Sequence, residues 1–271
     1  EKIIITKKQF MNKSDEADKF LSQNKNDLSN LERIGEEAFS GCTALTFENI
    51  ENLSSLKRID EDAFSGCSAL TFNPRLTNLH SLERIDHRAF VGCSALTFNS
   101  LSNLSSLETI GDDAFSNCSA LTFNELANLE KLTTIGEEAF VNCTSLTFEK
   151  LENLKSLRII REGAFINCSA LTFNSNELPR LTKIDDRAFY NCQALIKLDL
   201  SKSYGITYIG ENAFAECSPE LKIIMNKKSF DRVKQIVHIP GIRPYVVKEE
   251  IEKSEFCDLI GLKNEGQLEV V

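Results

Sequence analysis

Nine cysteines are the residues best suited to chemistry in this 271-residue sequence, and eight of them recur at a nearly constant spacing. A thiolate can act as a nucleophile, a metal ligand or one half of a disulfide. Zinc is disfavoured because the sequence has no CxxC pair and no close histidine partner. We therefore expect no metal and no cofactor, and we expect free thiols that fill one core site in every repeat unit. The eight cysteines are Cys42, Cys67, Cys93, Cys118, Cys143, Cys168, Cys192 and Cys217.

The ninth cysteine, Cys257, stands outside this series and has two interpretations. As a nucleophile it would need a base, and the only histidines are His80, His87 and His238, none of them near it in sequence. As a core residue it would pack beside its apolar neighbour Phe256. The core interpretation is favoured, so we predict no catalytic residues. A cysteine enzyme that uses the C-terminal segment is the remote alternative.

Acidic pairs form a second recurring feature. One interpretation is a cation-binding edge; the other is that the acids occupy the first turn of a short helix, where its exposed N–H groups favour them. A glycine such as Gly35 directly before the pair favours a turn into a helix, and hence the second interpretation. The pairs are Glu36/Glu37, Glu61/Asp62, Asp112/Asp113 and Glu137/Glu138.

The eight recurring cysteines and the acidic pairs belong to a repeat whose period is 24 to 26 residues. Apolar residues recur within each unit at mixed gaps of two, three and four, which indicates a chain that turns several corners. The ALTF stretch predicts a strand, and the IGDDAF segment at 110–115 predicts a turn followed by a short helix or 3₁₀ piece. Ordering each residue costs about 1.2–2 kcal/mol, so a unit this short cannot fold alone and must stack on its neighbours. Units 1 to 8 start at Leu31, Leu56, Leu82, Leu107, Leu132, Leu157, Leu181 and Ile206.

The recurring AFxxCxxL pattern, as at 188–195, resembles the BspA-like leucine-rich repeats of surface or secreted proteins from bacteria and some protists. Eight matching units carry the resemblance. It implies an α/β fold: a right-handed leucine-rich-repeat solenoid of about eight coils, with a parallel sheet of short strands and helical terminal caps. It also implies adhesion or recognition. The family strand CxxLxxLxL fits only the unit at Cys192; the earlier units carry CxxLTF instead, as at Cys118.

The sequence divides into three predicted parts. Residues 1–30 form an N-terminal cap, residues 31–221 the leucine-rich-repeat array, and residues 222–271 a C-terminal strand and helical cap. The chain begins with Glu1, and KIIITKKQF at 2–10 is similar to KIIMNKKSF after the array. We therefore interpret the first residues as the end of an upstream coil in a longer protein.

Short elements are expected at both ends. A helix should follow an N-cap at Ser14, because the residues after it are acidic and then amphipathic. Near the other end, 221–225 predicts a last strand, and 229–237 and 245–262 predict helices.

Two sets of residues are predicted to bind a partner. The first is an outer ladder of threonines and asparagines if ALTF is the sheet strand, although a solvated ladder explains it equally well. Its members are Thr97, Thr122, Thr147, Asn99 and Asn124. The second set adds aromatic and basic groups in the last units, of types that are enriched at interfaces. Its members are Tyr190, Tyr204, Tyr208, Arg187 and Lys183.

Composition narrows the function. The net charge of −9 would repel a phosphate backbone, so no nucleic acid is expected. No stretch reaches the roughly 18–20 apolar residues of a membrane span. We predict a non-enzymatic protein-binding or adhesion scaffold at the cell surface or outside the cell, as a fragment of a larger surface or secreted protein. The alternative is a secreted effector that is delivered into a host cell and binds a host protein there. The oligomeric state is left open.

Overall fold

The structure is a computed structural model that describes residues 3–72, 79–97, 104–122, 129–147, 154–172, 178–234 and 251–271. Eight short parallel strands lie side by side in one sheet, one strand per repeat unit, so the chain is a leucine-rich-repeat solenoid as predicted. The strands of this sheet are β1 (Arg33–Ile34), β2 (Arg58–Ile59), β3 (Arg84–Ile85), β4 (Thr109–Ile110), β5 (Thr134–Ile135), β6 (Ile159–Ile160), β7 (Lys183–Ile184) and β9 (Tyr208–Ile209).

In each unit the strand consists of an isoleucine and the residue before it, whose side chain points outward. The ALTF stretch is not this strand. Each strand pairs with the equivalent residues of the next unit, so that Ile34, for example, lies beside Ile59. Within the described part of ALTF, only Phe47 and Phe72 form a bridge. The ALTF strand prediction is therefore wrong in units 1 and 2, and in units 3 to 6 the phenylalanine of the stretch lies outside the described residues. The reason is that turns flank the stretch at 43–44 and 48–49, so Leu45 and Phe47 fill the core without a continuous strand.

The segment after each strand forms consecutive turns, so the predicted short helix or 3₁₀ piece is wrong. The second acid of each pair has positive φ, for example 52° at Glu37 and 53° at Asp62. This left-handed backbone conformation is incompatible with a helix. The N–H of Glu37 donates instead to the carbonyl oxygen of Glu61 in the next unit, at 2.9 Å. The helix-capping interpretation of the acidic pairs is wrong for the same reason.

The core is a set of side-chain ladders that run along the solenoid. Phenylalanine rings stack in order, with centroids 5.1 to 5.4 Å apart and planes within 14° of parallel. Beside them, the thiol of each of the eight repeat cysteines donates to the phenylalanine carbonyl oxygen of the preceding coil, as Cys67 Sγ does to Phe39 at 3.1 Å. The stacked rings are those of Phe39, Phe64, Phe90, Phe115, Phe140, Phe165, Phe189 and Phe214.

The N-terminal segment continues the ladders before unit 1. Ile5 forms a parallel bridge with Ile34, and the Phe10 ring stacks on Phe39 at 5.4 Å. The predicted helix follows as α1 (Ser14–Asn24), and a 3₁₀ turn (Leu28–Asn30) leads into unit 1. Ser14 is the first helical residue and not the N-cap, which is Lys13. The Ser14 hydroxyl accepts the N–H of Ala44 at 3.2 Å instead.

A second parallel sheet closes the C-terminal end. It contains β8 (Lys197–Leu200), β10 (Lys222–Met225) and β11 (Leu268–Val270), in the order β11-β10-β8. A 3₁₀ turn (Glu265–Gln267) precedes β11. The strand predicted at 221–225 is therefore confirmed. KIIMNKKSF thus forms a strand and the start of a helix, whereas KIIITKKQF, over its described residues 3–10, takes up the bridge and turns of a coil. The likeness of the two segments in sequence is not a likeness in structure.

Helices α2 (Lys227–Val233) and α3 (Lys253–Ile260) complete this end. The helix predicted at 229–237 is confirmed over 229–233; residue 234 follows α2, and 235–237 lie outside the described residues. The helix predicted at 245–262 is shorter than predicted, because residues 251–252 precede α3 and 261–262 follow it; 245–250 lie outside the described residues. Backbone N–H groups of unit 8, the last unit of the array, donate to carbonyl oxygens of α3. Asn212 donates to Leu259 and Phe214 to Ile260, each at 2.8 Å. These acceptors are carbonyls in the last turn of a helix, which have no partner within it.

Candidate interaction surface

The outer face of the eight-stranded sheet is the most regular exposed surface of the described chain. In each strand the isoleucine is buried and the residue before it is exposed or half-buried. We call this surface the sheet face. Its outward residues are, in order, Arg33, Arg58, Arg84, Thr109, Thr134, Ile159, Lys183 and Tyr208. From unit 1 to unit 8, the outward side chains therefore change from three arginines, through two threonines and an isoleucine, to a lysine and a tyrosine.

Ion pairs organise the basic end of the sheet face. Asp60, only 2% exposed, contacts Nε of Arg33 at 2.5 Å and Nε of Arg58 at 2.8 Å. Asp86 contacts Nη2 of Arg58 at 2.6 Å and also pairs with Arg84. Burying two carboxylates is favourable only when they are paired in this way, and the pairing holds the three guanidinium groups in a row. The row borders an open cleft of about 240 Å³.

At the centre of the sheet face the outward side chains are short, and a glycine follows two positions later. Thr109 and Thr134 are the outward residues here, and Gly111 lies two positions after Thr109. A Cβ atom at Gly111 would stand 2.6 Å from the carbonyl carbon of Asp86 in the preceding unit, closer than real Cβ contacts allow. Arg161 crosses this tract and approaches Asp112, two units away, at 3.9 Å.

The far end of the sheet face holds an aromatic ring and an ammonium group in fixed positions. Tyr208 donates its hydroxyl proton to Oδ1 of Asp186 at 2.6 Å. Lys183 lies over the Tyr208 ring, with Nζ 5.3 Å from its centroid, and pairs with Asp185 at 2.6 Å. A cation above a ring face is attracted by its quadrupole. These contacts pre-order both side chains, which are half-buried on the sheet face.

Comparison with known proteins agrees with this architecture. The model of the BspA type leucine rich repeat region matches residues 4–147 and 133–237, with six copies. The chain belongs to this family. A leucine-rich repeat protein from Bacteroides ovatus is similar over 76% of this chain, with 25% identity and a TM-score of 0.53, and this chain spans 52% of that protein's length. A leucine rich cell surface protein from Faecalibacterium prausnitzii is similar over 89% of this chain and 77% of its own, with 22% identity and a TM-score of 0.34. None of the curated proteins matches.

In this BspA-type array, the aromatic and basic residues predicted to bind a partner lie in three different segments. Lys183 and Tyr208 are neighbours on the sheet face, where their strands pair in register. Arg187 and Tyr190 lie in the turn after β7, and Tyr204, 60% exposed, lies in the turn between β8 and β9. Sequence spacing alone could not separate these positions.

The threonine and asparagine ladder also differs from the prediction. Thr97, Thr122 and Thr147 are half-buried and outside any strand, so they do not form the outer face of the sheet. Asn99 and Asn124 lie outside the described residues. Sequence reasoning missed the arginine row of Arg33, Arg58 and Arg84. The sequence feature that could have revealed this row is the arginine directly before the isoleucine in units 1 to 3. Units 4 and 5 have threonine at that position.

The cysteines of this BspA-type chain are buried, as the core interpretation requires. Burial raises the pKa of Cys118 to about 12 and that of Cys257 to about 11, which disfavours the thiolate needed for nucleophilic chemistry. In the ranges that the structure describes, no three His, Cys, Asp or Glu side chains come together to hold a metal ion. Among the described helices, none is long and apolar enough to cross a membrane.

Proposed function

We propose that this chain is a non-enzymatic recognition module that binds another protein through the far end of its sheet face. We call this end the C-terminal sheet patch and define it as Ile159, Lys183 and Tyr208. The observation that carries the proposal is the fixed Tyr208 ring, held by Asp186 at 2.6 Å and covered on one side by Lys183. Tyrosine is enriched among the residues that dominate binding energy, and pre-ordering lowers the entropy lost on binding.

Its place of action is proposed to be the cell surface or the extracellular space, in keeping with the BspA-type family. The host-delivered effector remains the second candidate. The state of the thiols does not separate the two, because burial raises the pKa of seven of the eight repeat cysteines, those of units 1 to 7, and so protects them in either compartment. The source of the captured partner does separate them, because an adhesion module should bind extracellular proteins and an effector should bind intracellular ones.

The test compares Tyr208, which lies in β9, with Tyr204, which lies in the turn before that strand. Extracellular-matrix and cytosolic host fractions are passed over the immobilised chain, and the affinity of each captured protein is then measured. Tyr208→Ala should weaken the affinity at least about tenfold, which corresponds to about 1.4 kcal/mol. Tyr204→Ala is the matched control, because Tyr204 is exposed but lies outside the sheet face.

Two outcomes would contradict this proposal while circular dichroism shows intact folding. In the first, both variants bind the captured protein as tightly as the unmodified chain does. In the second, only Tyr204→Ala weakens binding, which would assign the docking site to the turn between β8 and β9.

A further inference from the structure

In two places on the sheet face, an aspartate of one unit accepts a backbone N–H of the next unit. Asp112 Oδ1 accepts the N–H of Glu137 at 2.8 Å. Asp186 Oδ1 accepts the N–H of Glu211 at 3.1 Å, and the same oxygen accepts the hydroxyl proton of Tyr208 at 2.6 Å. One carboxylate oxygen is therefore held by a backbone N–H and by the outward side chain of unit 8 together.

Units 2 and 3 have the same arrangement of donors, but no aspartate supplies the oxygen. The equivalent N–H groups are those of Glu61 and His87, and neither has an acceptor among the residues that the structure describes. The equivalent outward side chains are those of Arg58 and Arg84. All four residues line the open cleft of about 240 Å³ at the basic end of the sheet face. The cleft therefore presents, in two neighbouring units, the pair of donors that holds a carboxylate oxygen in unit 8.

The residue type at the position three after the outward residue explains the difference between the units. The aspartates of units 4 and 7 are short enough to place an oxygen beside the N–H of the following unit. Units 1 and 2 have Glu36 and Glu61 at this position, and a glutamate carries its carboxylate one methylene further from the backbone. The carboxylate of Glu36 pairs with Lys7 instead, at 2.7 Å. The two N–H groups therefore stay accessible to an oxygen from outside the chain.

The buried carboxylates prepare the two arginines for a ligand. Asp86 binds Arg84 through Nε, which leaves the two Nη groups of Arg84 without an acceptor in the described chain. Arg58 uses Nε and Nη2 for Asp60 and Asp86, which leaves its Nη1. Charge-assisted hydrogen bonds are among the stronger ones in proteins, and a side chain that is already held in place loses less entropy on binding. Each unit therefore offers a backbone donor and a guanidinium donor in fixed positions.

We propose that this cleft binds two carboxylate side chains of an acidic segment in a partner protein. In unit 2, one carboxylate accepts the N–H of Glu61 and a guanidinium proton of Arg58. In unit 3, the other accepts the N–H of His87 and a guanidinium proton of Arg84. The two positions are one strand spacing apart, about 4.8 Å, so neighbouring acidic side chains of one segment reach both. The cleft lies at the opposite end of the sheet face from the C-terminal sheet patch and does not depend on the function proposed for that patch.

The charges of the cleft favour directed hydrogen bonds over long-range attraction. Its lining contains three arginines but also four carboxylates, so the net attraction for an anion is small. Two of those carboxylates, Asp60 and Asp86, are buried and paired with the arginine row. Glu61, in contrast, is exposed and keeps its charge at the edge of the cleft. We therefore expect a modest affinity that decreases with salt and that depends on the position of each donor.

The test titrates the purified full chain into fluorescein-labelled hexa-aspartate and follows the fluorescence anisotropy. We expect saturable binding at low salt. Arg84→Gln should weaken this binding at least about tenfold, because it removes the guanidinium group of unit 3 while Arg58 still pairs with Asp86. Arg180→Gln is the matched control and should leave the affinity unchanged, because Arg180 is exposed in the turn before β7 and lies outside the sheet face.

A second variant changes the cleft without changing its charge. Glu61→Asp shortens the side chain to the length found at Asp112 and Asp186. Its own carboxylate should then accept the N–H of His87 and exclude the ligand from unit 3, so the affinity for hexa-aspartate should fall at least about fivefold. Glu137→Asp makes the same change at the equivalent position of unit 5, outside the cleft, and should have no effect. A simple attraction between charges would leave both variants with the affinity of the unmodified chain.

Amide proton resonances of the isotope-labelled chain locate the bound peptide. Hexa-aspartate should move the amide protons of Glu61 and His87 downfield, because each N–H gains a carboxylate acceptor. The amide protons of Glu137 and Glu211 already donate to aspartates and should move little. In the Glu61→Asp variant, the amide proton of His87 should lie downfield before any peptide is added.

Three results would overturn the proposal while circular dichroism shows intact folding. The first is the lack of saturable binding of hexa-aspartate at low salt. The second is binding that both Arg84→Gln and Glu61→Asp leave unchanged. The third is binding of heparin without binding of hexa-aspartate, which would assign the arginine row to a sulfated polysaccharide instead of an acidic protein segment. None of these results depends on the C-terminal sheet patch.

Discussion

Replacing Phe64 by leucine tests whether the stacked rings stabilise the solenoid beyond simple burial. Phe64 is fully buried and contacts three rings: Phe39 at 5.1 Å, Phe90 at 5.2 Å and, edge-on, Phe47 at 5.4 Å. Phe214 in the last unit is equally buried but stacks on one ring, that of Phe189, at 5.4 Å. Replacement by leucine therefore removes the same apolar volume at both positions, and the two variants differ in the number of ring contacts that are lost.

The expected difference follows from those contacts. A favourable aromatic pair contributes about 0.5–1.5 kcal/mol beyond the area that it buries. Phe64→Leu removes two more pairs than Phe214→Leu, so its free energy of unfolding should fall by about 1–3 kcal/mol more. The common cost of the smaller side chain cancels in the comparison.

Urea denaturation followed by circular dichroism measures both values, with the slope against urea checked to confirm that the variants unfold over the same surface. Equal destabilisation of the two variants would refute the reasoning. It would show that burial alone accounts for the contribution of the stacked phenylalanine rings to the free energy of unfolding. A larger loss at Phe214 would show that the contact between unit 8 and α3 outweighs ring stacking.

Two further predictions concern the backbone and the isolated thiol. Gly111→Ala should destabilise by about 1–3 kcal/mol, because its Cβ would meet the Asp86 backbone at 2.6 Å, whereas Gly205→Ala, whose nearest contact is 3.4 Å, should change the melting temperature little. Burial raises the pKa of Cys257 to about 11, which leaves roughly a hundredfold less thiolate at neutral pH than an ordinary thiol with a pKa of 9.0 has. Iodoacetamide should therefore label Cys257 slowly in the native chain and rapidly in urea, with Cys257→Ser identifying the signal; fast, selective native labelling would instead support the cysteine-enzyme alternative.

Much of the fold could be predicted because the repeat is a physical constraint on the whole chain. A unit of about 25 residues cannot bury enough apolar surface alone, so eight similar units had to stack. The buried positions of Phe39, Cys42 and Leu45 follow from the same repetition. The resemblance carried by AFxxCxxL was confirmed by the family match over 4–147 and 133–237.

The location of the strand could not be predicted from residue preferences. ALTF contains good strand formers, yet the strand is the shorter segment that ends at Ile34. The acidic pairs likewise resemble helix starts, but neighbouring units take up their N–H groups and hold Glu37 at a φ of 52°. In both cases hydrogen bonds between units, which no single unit shows, outweighed local propensity.

The sequence by itself determined that a repeated apolar unit must share its core with its neighbours, and it determined which side chains fill that core. The tertiary structure alone decided which residues face outward together. It brought Lys183 and Tyr208 side by side, separated them from Tyr204, and aligned Arg33, Arg58 and Arg84 with the buried Asp60 and Asp86. The physical reason is that burial depends on the residue types within a unit, whereas the outer face depends on the register between units.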